Sequence, residues 1–154
     1  MTLEKLITIK SAFADEGMIP RKYCCNGENI HPPVEFDNLP EETKTLALLL
    51  EDPDAISGIF THWIAWNISP HRPIAENSAP GISGENGHGE TGYTGPCPPN
   101  GTHRYILTIY ALDAKLGLEA GADKRALLQA MDGHMLAYGE IMGKYSKDNQ
   151  NQPR

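Results

Sequence analysis

The stretch THWIAWNIS, residues 61–69, constrains the fold more than any other part of the chain. A strand turns successive side chains to opposite faces. His62, Ile64, Trp66 and Ile68 then share one face, and Thr61, Trp63, Ala65 and Asn67 share the other. Each face carries an indole, so the strand is expected to be buried on both sides, with a layer above and below its sheet. TKTLALLLED, residues 43–52, reads as a second strand of the same apolar kind. A chain of 154 residues is long enough to enclose such a core in one domain.

The remaining elements follow from punctuation and period. Leu6–Ser11 reads as a first strand and residues 103–112 as another. Between them lie the proline-rich MIPRKYCCNGENIHPPVEFDNLP, with its Asn26-Gly27 turn, and a stretch over 70–102 rich in Gly, Pro, Asn, Ser and Glu. A loop of that length is expected to be functional or to hold short strands of its own. GADKRALLQAMDGHML is the clear helix, with Ala126, Leu127, Ala130 and Met131 at helical spacing and Gly133 as terminator. GEIMGKY alternates as a closing strand, and residues 147–154 form a polar, frayed tail behind a single domain over 1–146. Strands that dominate early, with one helix near the end, point to a mainly β fold: an antiparallel sandwich or barrel with peripheral helix.

Composition narrows the function. The net charge of −7 argues against nucleic-acid binding, which needs a basic face, while leaving room for a local anion site. No apolar run reaches the length of a transmembrane helix, and the first residues lack the pattern of a signal peptide, so a cytoplasmic home is expected. Three cysteines make no disulfide framework. The adjacent Cys24 and Cys25 read as small buried groups, and Cys97, between prolines, as an unactivated thiol.

One motif is a decoy. GHGETG, residues 87–92, fits G-x-G-x-x-G but runs into YTGPCPP, which cannot open the helix a dinucleotide site requires. What remains is a constellation at strand ends: Asp52, Asp54, His62, His103, Arg104 and Tyr105. Strand parity puts His103 and Tyr105 on one face and Arg104 on the other. Three chemistries use such a set. The histidines and Tyr105 can donate to a phosphate-like anion, joined by backbone N–H groups near Gly95, with the aspartates fixing the imidazoles or receiving an ammonium. Alternatively His62, His103 and a carboxylate hold zinc, or histidine activates Cys97. The plain alternative is structural, with hydrogen-bonded core histidines and turn-capping aspartates.

These residues also stand in a familiar arrangement. IPRKYCCNGENIHPPVEF, LLLEDPDA followed by THWIAWNI, and TGYTGPCPPNGTHRYILTIYALD together resemble the phosphatidylethanolamine-binding protein family, in its short bacterial and archaeal Raf-kinase-inhibitor-like branch. The resemblance implies an antiparallel β-sandwich with one or two short helices. It also implies a non-enzymatic protein, without metal or other cofactor, that binds a phosphate-type anion or phospholipid head group. Carried over, the pocket residues are Asp52, Asp54, His62, Gly95, Pro96, His103 and Tyr105, with Arg104 buttressing the loop and His31 adding a third imidazole. Regulation of a kinase or protease, and a homodimer, are further implications. A hydrolase using the same pocket, or a protease inhibitor acting through a surface loop, are the rival functions. The chain departs from the family pattern at Ile56, where a proline is usual, and at His31, where serine is usual.

Overall fold

The structure, a computed structural model, describes residues 3–150. The elements are β1 (Thr8–Lys10), β2 (Glu35–Asp37), β3 (Thr45–Asp52), β4 (Phe60–Ile68), β5 (Ile82–Ser83), β6 (Thr102–Leu112), α1 (Lys124–Met131), β7 (Met135–Ser146) and α2 (Lys147–Gln150). Five strands form one antiparallel sheet in the order β5-β4-β3-β6-β7, and β1 pairs with β2 in a second. The fold is the mainly β, two-sheet architecture that the residues imply. Of the expected polar tail, Lys147–Gln150 are helical and residues 151–154 lie outside the described residues.

The large sheet is buried on both faces. Leu46, Leu48, Trp63, Leu107 and Ile109 pack toward β1, Phe13, Ile19, Tyr23 and Val34. Ala47, Leu49, Ile64, Trp66 and Leu112 pack on the other face against Leu116, Leu127 and Met131 of the helical side. Each large apolar side chain so buried contributes about 1.5–3 kcal/mol over exposure. The helix begins where Asp123 accepts the N–H of Ala126 at 2.9 Å, and it is followed by Gly133 at φ 82°, a conformation that favours glycine.

Simple alternation fails twice along β4, and both failures matter. Leu46 pairs with Ile68 and Leu48 with Ala65, so β4 advances three residues while β3 advances two. Asn67, at φ 55°, takes up the extra residue and exchanges hydrogen bonds with the Leu116 backbone. Ile68 thereby joins the Trp63 face instead of the Trp66 face. At the other end Leu50 pairs with Trp63 and Glu51 with Thr61, leaving His62 as the extra residue of a bulge.

The long segment over 70–102 is ordered by its own polar groups. β5 and the bridges Val34–Ile74 and Glu85–Thr91 are its only strand-like pieces among the described residues. The buried Asn86 accepts the N–H groups of His88 and Glu90 and donates to Gly92 O. The glycine-rich decoy is therefore a compact loop with no helix behind it.

Candidate functional site

The site lies at one end of the large sheet. Antiparallel pairing brings the C-terminus of β3 beside the N-termini of β4 and β6, so Asp52, His62, His103 and Tyr105 converge from three strands. His103 Nδ1 lies 2.7 Å from Asp52 Oδ2, and Asp52 Oδ1 accepts the Asp54 N–H at 2.7 Å. His62 Nδ1 lies 2.7 Å from Thr94 O, and the Thr94 N–H donates back to His62 O at 2.9 Å. The His62 ring meets the Tyr105 ring edge-on, with centroids 5.2 Å apart, and meets Phe60 at 4.8 Å. The bulge accounts for this contact. It frees His62 from the Ile64–Trp66 face and re-aims it toward Tyr105.

The hydrogen bonds fix the tautomers. A carbonyl and a carboxylate can only accept, so Nδ1 is the donor in both His62 and His103. Nε2 of each ring bonds to no described residue. Both rings are nearly buried, at 6% and 8% exposure, with Asp52 at 4%. Burial pushes the His62 pKa below its usual 6.5, against the opposing pull of the Thr94 hydrogen bond and the Asp52 charge. Tyr105, 1% exposed, has its phenol raised by burial first and then by the nearby Asp52 charge. It stays a neutral O–H, and its oxygen hydrogen-bonds to the Cys97 backbone.

A strap over residues 93–97 closes this end of the sheet. The Tyr93 hydroxyl donates to Tyr23 O at 2.6 Å, Gly95 N–H to Asn29 Oδ1 at 2.7 Å, and Cys25 N–H to Pro96 O at 3.1 Å. A disulfide joins Cys25 to Cys97. A Cβ at Gly95 would collide with Tyr23 O and the Asn29 side chain, so only glycine permits the approach.

Several expectations need correction. Cys97 is no thiol and no nucleophile, since it pairs with Cys25 despite the odd cysteine count; Cys24 is the buried free thiol, pushed by burial up to about 12. The Gly95 amide is taken by Asn29 and Pro96 has no N–H, so neither offers a backbone donor to an anion. Asp54 is committed to Arg104 rather than to an imidazole. Both its oxygens are held by Arg104, through Nε at 2.9 Å and Nη2 at 2.7 Å, and the Arg104 N–H adds a third bond. These bonds hold the Asp54 carboxyl well down, to about 2. Arg104 thus braces the β3–β4 turn, not the Gly-Pro strap. His31 stacks on Trp63 at 4.4 Å, with Nδ1 on Pro32 O and Nε2 on the Ser78 backbone, so it has no nitrogen left for a ligand.

Sequence reasoning missed Phe60, Thr94, Asn29 and the Cys25–Cys97 bond. Phe60 had a signal, as an aromatic opening the strand that carries His62; the others depend on contacts between distant segments, 32 residues apart for Thr94 and His62, 66 for Asn29 and Gly95, and 72 for the disulfide.

Comparison with known proteins follows the same lines. The family profile described as phosphatidylethanolamine-binding protein matches residues 9–146. A UPF0098 protein of Methanothermobacter thermautotrophicus is 46% identical over 144 residues, covering 88% of this chain and 95% of that protein. One from Archaeoglobus fulgidus is 46% identical over 153 residues, covering 94% of this chain; the chain spans about half of that relative, 53%. A Chlamydia trachomatis crystal structure, described as that of a homologue of phosphatidylethanolamine-binding protein, superposes with a TM-score of 0.89 at 43% identity, covering 94% of this chain and all of that one.

Proposed function

The chain belongs to the phosphatidylethanolamine-binding protein family, and from that premise we propose that it binds a phosphate-type anion, such as a phospholipid head group, between His62 and His103. One observation carries the reading. Two nearly buried imidazoles at one end of the sheet have Nδ1 committed to Thr94 O and Asp52, which leaves the Nε2 of each for a ligand oxygen. Once protonated, both would donate charge-assisted hydrogen bonds, the stronger kind. The Tyr105 hydroxyl supplies a neutral donor beside them. Asp52 keeps His103 oriented and balances its charge, and an ethanolamine ammonium would find the same carboxylate.

The reading is non-enzymatic. Cys97, the cysteine considered as a nucleophile, is held in a disulfide, and Asp54, a second carboxylate for acid–base work, is held by Arg104. The output would be regulation of a kinase or protease through the occupied or empty pocket, with a homodimer as the assembly. Calorimetric titration with O-phosphoethanolamine tests it. Saturable binding with no release of inorganic phosphate is expected, reduced about tenfold or more in His103→Ala, the loss of a charged hydrogen bond. Phosphate release that His62→Ala abolishes would favour a hydrolase.

A further inference from the structure

The β3–β4 hairpin tip, residues 53–59, lies at the same end of the sheet as His62 and His103, since Asp52 and Phe60 are paired at its base. It carries two large apolar side chains in solvent: Ile56 is 82% exposed and Ile59 62%. The tip turns back through the Gly58 N–H to Ala55 O at 3.2 Å, and a Cβ at Gly58 would meet nothing within 4 Å. The space around Gly58 is therefore open, and residues 56–59 are all exposed. From Ala55 to Phe60 there is no charged residue, in a chain with a net charge of −7. Two of the acids at its base are paired with cations, Asp54 with Arg104 and Glu51 with Lys124.

We propose that this tip is a membrane-docking wedge, with Ile56 and Ile59 entering the interface of a zwitterionic bilayer while a lipid head group occupies the His62–His103 pocket. The inference rests on the head-group reading above. A lipid whose phosphate reaches the pocket must keep its acyl chains outside it, and the apolar tip borders that end of the sheet. Two exposed isoleucines serve no intramolecular packing, and their burial in lipid is favourable in proportion to the apolar area covered. The absence of charge at the tip removes the main barrier to insertion. An anionic surface would be repelled by the overall negative charge, so phosphatidylcholine–phosphatidylethanolamine membranes are the partner of matching chemistry.

Vesicle flotation with phosphatidylcholine–phosphatidylethanolamine liposomes tests the wedge, comparing the full chain with its Ile56→Ser/Ile59→Ser variant. O-phosphoethanolamine titration of both proteins runs alongside. The expected result is vesicle binding that falls about tenfold or more in the variant, with soluble head-group affinity unchanged. Equal vesicle binding by both proteins overturns the wedge. So does wild-type binding of the soluble head group without vesicle binding, and in that case the pocket reading survives. Absence of both kinds of binding overturns the pocket reading as well. Self-association or capture of a protein that the double variant abolishes, without vesicle binding, assigns the tip to a protein partner and overturns the lipid proposal.

Discussion

Two aspartates separated by one proline behave differently here, and the difference is testable residue by residue. Asp52 is buried and holds the His103 ring by Nδ1, whereas Asp54 is held at the surface by Arg104. Asp52→Asn removes the charge that steadies a protonated imidazole beside it. Head-group affinity is expected to fall about tenfold, the scale of a lost charge-assisted bond. Asp54→Asn breaks a solvent-screened pair that does not touch the imidazoles, and affinity is expected to stay within about twofold. Parallel titrations of the two variants check this, and equal losses would place Asp54 in the pocket after all. The Asp54 pair also has an acid limb. Its carboxyl is lowered from 3.8 to about 2, so whatever stability it adds is in place above pH 3.8 and fades as the pH falls toward about 2.

Elements show how much could be read in advance. The two-faced burial of β4 was legible because an indole on each side admits no other arrangement, and the strand-end histidines were legible as a group. The bulges were not. Nothing in THWIAWNI marks His62 as an extra residue, because the irregularity exists only relative to β3. Asn67 did offer a hint, since asparagine tolerates the left-handed conformation it adopts at φ 55°. The strap was illegible for a similar reason. Its disulfide joins positions 72 residues apart, and three cysteines allow more than one pairing. Its role can be checked by Cys25→Ser/Cys97→Ser. Closing a loop of that size constrains the unfolded chain, so the variant should lose about 2–5 kcal/mol in denaturant unfolding. It should also weaken head-group binding, because Thr94 O, which fixes the His62 tautomer, sits on the same strap. Unchanged affinity would separate the strap from the site. A reducing compartment would act on the same bond.

At the scale of the whole molecule, binding is coupled to protons. The empty protein holds His62 below its usual 6.5, so acidification past 6.5 loads a proton onto the unfolded chain first and lowers stability. An anion at Nε2 favours the charged ring and reverses that penalty. Affinity should therefore rise as pH falls from about 8 to about 6, below which the phosphate group starts to lose its own second charge. Bound ligand should flatten the acid loss of stability over the same range. A molecule with net charge −7 offers an anion no general attraction, so any such binding must come from the pocket itself. The most direct measurement is an NMR titration of the His62 and His103 ring signals with O-phosphoethanolamine, repeated across this pH range. Joint, saturating shifts of both rings, with the His62 pKa raised in the bound state, are the expected result. Rings that stay unmoved in a folded protein, or a His62 pKa that ligand leaves where burial put it, would contradict the pocket.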